Sequence, residues 1–342
     1  MIIFPKLDHH NRHLPCQWQY YIVYDIFLDP SNNSYDTPPP QPTPSPLHLL
    51  FLIYFWSYFF KKLMLCDKMI EYLIIDIHPP DVITDIKFLN AFNRIIPGGV
   101  QTFEKLKNHF GDFEKAWSVN SHSLLCLGLS KEISARIIAE REKMDPDKEW
   151  EKLENENIRI LSREDDDYPD ILREVPQPPF ALYVRGALPS KTDVAISIVG
   201  SRKYTAYGKQ ACEKIVTGLA GYGITVISGL ALGIDAIAHK SALDAGGKTI
   251  AILGTGIDDK SIYPAQNFQL AKEIIKNNGA LISEFAPGTP ALPYHFPMRN
   301  RIISGLSKGV VIIEASEKSG SLITANLALE QNKDVFAVPG PI

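Results

Sequence analysis

The sequence predicts an α/β fold: a doubly wound, mainly parallel sheet preceded by a small helical domain. Three observations carry this. After Lys191, short apolar strands alternate with helices of about ten residues, and few long loops interrupt the alternation. Between Asp81 and Met144, apolar residues recur at helical spacing on either side of glycine turns. Strands that are apolar throughout need cover on both faces, and crossover helices supply it in a parallel sheet.

The first 68 residues differ in character from the rest. A proline-rich run, Thr37 to Pro46, leads into the apolar stretch Leu47 to Phe60, closed by Lys61 and Lys62. A membrane helix needs about 20 apolar residues; this run is shorter and contains His48 and Ser57. A signal peptide would lie nearer Met1 and directly follow a basic region. Residues 1–68 are therefore read as an unassigned leader, disordered or the product of a start placed too early, with ordered sequence beginning at Met69 or nearby. A membrane partner is not expected.

Residues 69–150 form the helical domain. Ile86, Leu89, Ala91 and Phe92 precede a Pro97-Gly98-Gly99 turn, and Val100, Phe103, Leu106 and Phe110 follow it. Two helices joined by such a turn make a helical hairpin. A weaker second copy runs through Leu125, Gly128, Leu129, Ile133, Ile137 and Ile138. Hairpins of this kind can present backbone N–H groups to a DNA phosphate. They serve equally as structural or protein-binding elements, and the acidic residues here leave both readings open.

Residues 151–190 read as a connecting segment that leads into the core. A charged helix, Glu149 to Glu156, is followed by a strand, Ile158 to Leu161, and by a connection through Pro169, Pro176, Pro178 and Pro179. The triplet Asp165 to Asp167 has neither a histidine nor a further paired acid beside it, so it reads as a solvated turn rather than a metal site.

Residues 191–342 form the Rossmann-like domain. Strands are expected at Val194–Val199, Ile224–Ser228, Thr249–Leu253, Ala280–Ser283, Val310–Glu314 and Val335–Val338. Helices are expected near Gln210–Ala220, Asp235–Ala245, Phe268–Asn277, Met298–Leu306 and Leu322–Glu330. The whole-chain charge of -4 argues neither for nor against a nucleic-acid partner. From Lys191 onward, 15 Lys and Arg stand against 12 Asp and Glu, so this half is the phosphate-facing one. Cys16, Cys66, Cys126 and Cys212 lie far apart without CxxC spacing, which points to a reducing cytoplasm and indicates neither a zinc site nor a disulfide framework. No cofactor and no metal are expected.

Ligands of such sheets bind outside the carboxyl ends of the strands, so the residues after each strand are the site candidates. The first strand ends in Gly200-Ser201-Arg202, where a close backbone, a hydroxyl and a guanidinium suit an oxyanion. The second runs into Ser228-Gly229-Leu230-Ala231-Leu232-Gly233-Ile234-Asp235, a glycine turn ahead of a helix. This turn is not GxGxxG, and no acid ends the following strand to hold a ribose, as nicotinamide enzymes require. Asp235 is expected to open its helix and complement the dipole, and His239 to face the sheet.

Later, Phe296, Arg299, Asn300 and Arg301 bring an aromatic ring, cations and an amide to one helix start. Phosphate gripping by arginine beside base stacking on a ring is what single-strand binding demands. Residues two apart on a helix diverge, so Arg299 and Arg301 cannot share one phosphate, and one is free to pair internally with an acid. Finally, Ser319-Gly320-Ser321 and Thr324 open another helix, as an N-cap or as an anion site. This turn and the Gly200 loop are expected to share one edge of the sheet and one site.

With these segments in order, Ile196 to Gly340 resembles the DNA-processing DprA (Smf) family. The resemblance rests on Val199-Gly200-Ser201-Arg202 with Tyr207-Gly208, Ser228 to Asp235 with Ala238-His239, Phe296 to Arg301, Ser319 to Ala325, and Val338-Pro339-Gly340. Asp167-Tyr168-Pro169 and Leu182 to Gly186 look like the family's lead-in, and the hairpins resemble its SAM-like or helix-hairpin-helix domain. Residues 1–68 match nothing in that pattern.

The resemblance implies a cytoplasmic, homodimeric protein that is not an enzyme. Such a protein coats and protects incoming single-stranded DNA in natural transformation and helps load the recombinase RecA. It also implies that the Gly200 loop, the Ser228–Gly233 turn, Arg299 to Arg301 and the Ser319 turn line the DNA groove. Two departures stand out: Leu232 occupies a position that is basic in many members, and the chain stops after Pro341-Ile342, where many continue into a winged helix. The competing reading is a nucleotide phosphoribohydrolase resembling the LOG (lysine-decarboxylase-like) family. Those proteins carry a glutamate just after the threonine of the helix start, whereas Thr324-Ala325-Asn326 has no acid to activate water or stabilise a sugar cation.

Overall fold

Helix caps are written clearly into the first described part of the chain. The computed structural model describes residues 80–340, apart from 189, 191, 192 and 318, so the leader expected over 1–68 lies outside it. Helices α1 (Pro80–Ile95) and α2 (Val100–Phe110) flank the Pro97-Gly98-Gly99 turn. Short helices α3 (Phe113–Ser118) and α4 (Ser121–Cys126) follow, then α5 (Lys131–Arg141) and α6 (Pro146–Asn155). Asp112, Asn120, Ser130 and Asp145 each accept a first-turn N–H at the start of α3 to α6 in turn, the position where such side chains satisfy orphan donors.

These helices bury an aromatic cluster that continues into the sheet. Phe113 lies 6.0 Å from Phe92, 6.3 Å from Phe103 and 5.5 Å from Phe180, ring centre to ring centre. Phe180 immediately precedes β2, so one apolar core runs from the helices to Tyr183, Leu253 and Leu281 of the sheet. Polar ties follow the same junction. Tyr183 donates its hydroxyl to Asn90 Oδ1 at 2.9 Å, and Asn93 Nδ2 donates to the Glu284 carbonyl at 2.8 Å.

The strands are β1 (Arg159–Ser162), β2 (Ala181–Gly186), β3 (Ala195–Val199), β4 (Thr225–Ser228), β5 (Thr249–Leu253), β6 (Ala280–Ser283), β7 (Gly309–Ile312) and β8 (Asp334–Ala337). Between them lie α7 (Asp170–Arg173), α8 (Ala206–Gly221), α9 (Ile234–Asp244), α10 (Phe268–Lys276), α11 (His295–Gly305) and α12 (Gly320–Glu330). The sheet order is β1-β2-β6-β5-β4-β3-β7-β8. From β6 to β8 every pairing is parallel, as the continuous apolar strands demand.

The segment 151–190 contributes more than a connection. It supplies β1 and β2, which extend the sheet antiparallel, with Tyr183 opposite Ser283. Leu182, Tyr183 and Val184 are all fully buried, so β2 shows no alternation to read, and the neighbouring prolines mask it further.

Helices cover both faces of the sheet. On one, Ile302 and Ile303 of α11 and Ala325 and Ala328 of α12 pack on Ile227, Ile252 and Val310. On the other, Cys212 and Val216 of α8 and Ala238 and Ala242 of α9 pack on Ile198 and Val226. β3 lies between β4 and β7, so the chain winds away from β3 in opposite directions. A crevice forms at this reversal outside the carboxyl ends of β3 and β7.

Candidate nucleic-acid interface

A cleft of about 990 Å³ occupies that crevice. Three separated stretches of sequence meet in its lining: Gly200-Ser201-Arg202 after β3, Phe296 with Arg299 and Asn300 on α11, and Ser319-Gly320-Ser321 with Thr324 at the start of α12. Local packing explains how each bend is fixed.

The bend after β3 is built for close backbone approach. A Cβ on Gly200 would lie 2.8 Å from Ile234 Cγ1, and one on Gly233 would lie 2.4 Å from the Ser201 carbonyl oxygen. Gly233 also has φ +86°, which a side chain would strain. The two turns are joined directly, with Ile234 N donating to the Ser201 carbonyl at 3.2 Å. Gly200 is therefore required by the packed Ile234 rather than by a ligand.

Ser201 turns the chain outward. Its Oγ donates to the Lys203 carbonyl at 2.6 Å and accepts from Lys203 N at 3.0 Å. Arg202 and Lys203 are thereby exposed, and among the described residues neither forms an ion pair. Glu314 holds the end of this loop, accepting from Thr205 N at 2.9 Å and Thr205 Oγ1 at 2.5 Å. Thr205 in turn caps α8 by accepting from Gly208 N at 3.0 Å.

Ser319 sits at the N-cap of α12 with extended backbone, yet its side chain makes no capping bond. Its Oγ lies 2.8 Å from Ser321 Oγ instead. The first-turn amides of α12 thus have no side-chain partner at the cap, which suits a bound anion. Asn300 Nδ2 donates to the Gly320 carbonyl at 3.3 Å and ties α11 to this turn.

Two buried ionisable side chains, Arg299 and Asp235, stand at the floor of the cleft. Arg299 is 4% exposed, and its Nη1 donates to the carbonyls of Gly229, at 2.7 Å, and of Ile252. Asp235 accepts from Gly229 N at 3.1 Å and Ala231 N at 3.4 Å. Burial pushes the Asp235 carboxyl up against the opposing pull of Arg299. Burial likewise lowers the Arg299 guanidinium to about 10, while Asp235 raises it. His239 faces the sheet, fully buried, with Nδ1 2.7 Å from Thr249 Oγ1. Burial depresses it to about 3.

The structure places four of the expected contact residues outside the lining. Ser228 is fully buried and donates to the Ile198 carbonyl at 2.7 Å. Gly229 has no room for a side chain because Arg299 Nη1 would lie 2.6 Å from its Cβ. Gly233 serves the turn contact described above. Arg301 turns inward, with Nη2 2.6 Å from Glu284 Oε1 and Nε donating to the Gln177 carbonyl at 3.0 Å. The internal acid pair open to one of the two arginines thus falls to Arg301. Arg299 lines the cleft, but its Nη1 already serves the Gly229 and Ile252 carbonyls, and its buried Nε has no partner among the described residues.

The first helical hairpin is also closed to phosphate. Gly98 N donates to Asn93 Oδ1 at 3.0 Å and Gly99 N to the Ile96 carbonyl at 3.1 Å. At Gly98, φ is +67° and a Cβ would lie 3.3 Å from both Phe285 and Met298, so this turn is a docking point on the sheet. In the second hairpin, Gly128 N donates to the Leu125 carbonyl at 2.9 Å and Lys105 Nζ donates to the Gly128 carbonyl at 3.0 Å. Asp165 accepts from Ser162 N at 2.7 Å, forming a turn, and among the described residues no group of acids, histidines and cysteines could hold a metal. No described helix is long and apolar enough to cross a membrane.

Residues 159–342 match the family model described as DNA recombination-mediator protein A. The chain belongs to this family. It is 40% identical over 254 residues to Protein Smf of Synechocystis sp., covering 73% of this chain and 63% of the relative. It is 45% identical over 178 residues to DNA processing protein DprA of Streptococcus pneumoniae, covering 52% of this chain and 62% of the relative. The X-ray structure of DNA processing protein A (DprA) from Streptococcus pneumoniae superposes with a TM-score of 0.62 at 32% identity, covering 75% of this chain and 87% of that one. The chain spans between half and two thirds of the length of the curated relatives it matches. The recombination-mediator family is the one the strand-end motifs resemble.

Sequence reading missed Lys203, Tyr263 and Ile323 of the cleft lining. Lys203 adjoins the Gly200 loop. Tyr263 follows β5 on the same edge of the sheet, where the strand-end rule would have found it.

Proposed function

We propose that the chain binds single-stranded DNA in the cleft at the β3/β7 reversal. The observation that carries this reading is the convergence there of two exposed cations, Arg202 and Lys203, without an ion pair among the described residues, with the start of α12, which Ser319 does not cap, and the Phe296 ring. Cations suit phosphate, as do the Gly320 and Ser321 amides ahead of Leu322 N, which donates to the Ser319 carbonyl at 3.2 Å, and a ring beside them suits an unstacked base. A duplex keeps its bases paired and out of reach of that ring. Membership of the DNA recombination-mediator family supports the same reading.

The role extends to protecting incoming DNA and assisting RecA loading in natural transformation, in a cytoplasmic homodimer. These elements rest on the family resemblance. The protein acts by binding rather than by catalysis: among the described residues Asp235 is the one acid of the cleft lining, and its Oδ2 accepts from the Gly229 and Ala231 amides. Anisotropy titration of labelled single- and double-stranded oligonucleotides of equal length tests the reading. Tighter binding of the single strand, with log affinity falling linearly in log salt, is expected. Equal affinity for both, or release of free base from nucleoside monophosphates, would overturn it.

A further inference from the structure

Between Ser201 and Thr205 the chain carries Arg202, Lys203 and Tyr204 out into solvent. The near end of this loop is fixed by the Ser201 carbonyl, which accepts from Ile234 N, and the far end by a carboxylate from another strand end. Glu314, two residues past β7, commits both oxygens to Thr205: Oε2 accepts from the amide at 2.9 Å and Oε1 from the hydroxyl at 2.5 Å. The fit is close. A Cβ on Gly208 would lie 2.4 Å from Glu314 Cδ, so the carboxylate fills a notch in the first turn of α8. That turn is itself tied down, because Tyr207 donates its hydroxyl to the Pro339 carbonyl at 2.9 Å. Among the described residues Glu314 forms no ion pair.

An acid at the rim of a phosphate site acts on a bound strand in two opposite ways. Its charge repels the strand, but salt screens that repulsion beyond about 8 Å, and the α8 dipole and the two donated hydrogen bonds offset it. Its clamp removes backbone freedom from the loop before any strand arrives, so Arg202 and Lys203 need not be ordered on binding. Salt does not weaken that gain, and positioning outweighs repulsion. We propose that Glu314 is a positioning residue for strand binding, an acid that raises affinity by holding the Arg202–Lys203 loop in its binding shape, an inference that rests on the single-strand reading above.

The test titrates labelled single-stranded oligo(dT) with the full chain as wild type, Glu314→Gln, Glu314→Asp and Glu314→Ala. Glutamine keeps the length and an acceptor for the Thr205 amide without the charge, whereas aspartate keeps the charge and, one carbon shorter, loses the reach. Glu314→Asp and Glu314→Ala are expected to bind roughly 5- to 30-fold more weakly, the cost of one freed backbone residue, and Glu314→Gln to keep most of the wild-type affinity. In an Arg202→Ala, Lys203→Ala background the loss on Glu314→Ala should vanish, which a general weakening of the fold would not reproduce. Tighter binding by Glu314→Gln and Glu314→Ala, with Glu314→Asp unchanged, would show that the charge alone acts and would overturn the proposal, as would an equal loss in both backgrounds. If Glu314→Ala does not fold, the contrast between Glu314→Asp and Glu314→Gln decides. Wild type that binds no strand overturns the single-strand reading and the positioning role together.

Discussion

Arg299 and Gly229 are locked together: the guanidinium donates to the Gly229 carbonyl at 2.7 Å and fills the space that a Gly229 side chain would need. The turn after β4 is thus shaped by a buried cation behind it. Gly229→Ala is expected to destabilise the fold by about 1–3 kcal/mol through overpacking against a group that cannot move to water. Urea denaturation would show it as a lowered midpoint, and an unchanged midpoint would refute the lock.

Two of the three arginines that the sequence offers for DNA, Arg202 and Arg301, part company in the structure. Arg202→Ala should weaken single-strand binding by about 1.5–3 kcal/mol, the scale of hydrogen bonds to charged groups, and flatten the salt dependence with no change in the denaturation midpoint. Arg301→Ala strands Glu284, which is 2% exposed, without its cation. A loss of about 3–5 kcal/mol of stability follows. Reversal of these two phenotypes would show that the arginines are misassigned.

Ser319→Asp separates helix stability from DNA affinity. A carboxylate at this N-cap is expected to add about 0.5–1 kcal/mol of stability by accepting first-turn amides and complementing the dipole. The same charge repels phosphate, so single-strand affinity falls. Thermal melts and anisotropy titrations moving in the same direction would argue against an anion site at α12.

His239 gives the fold a pH dependence. Its folded value of about 3 lies below the ordinary 6.5 because the ring is buried, so the unfolded chain binds the extra proton first. The stability that the neutral ring allows is present above about 6.5 and is lost as the pH falls toward about 3. Buried Asp235 and Glu284, both raised, act with the opposite sign over the range of their own titration. Comparing wild type with His239→Gln isolates the histidine. The variant should show a shallower fall in stability between about pH 6.5 and 5, by at most about 1.4 kcal/mol per pH unit. Parallel curves would exclude the assignment.

The parallel core was legible because its strands, such as Thr249–Leu253 and Ala280–Ser283, are apolar almost throughout and are separated by helices of about ten residues. The strand-end rule located Gly200, Arg202, Phe296 and Ser319 for the same reason, since topology decides where the carboxyl ends lie. It could not tell which polar groups already have partners. Ser228 and Arg301 look like ligands in sequence because their acceptors, the Ile198 carbonyl and Glu284, lie 30 and 17 residues away along the chain. Strand β2 stayed hidden for a different reason: its antiparallel partner β6 lies about a hundred residues on, and burial of both its faces erased the period-two signal.

The aromatic cluster around Phe113 makes the first six helices inseparable from the sheet. Excision at the end of α6 would leave Phe180 without Phe103 and Phe113 and Tyr183 without Asn90. The remaining piece would carry a sticky scar and self-associate rather than behave as an isolated module.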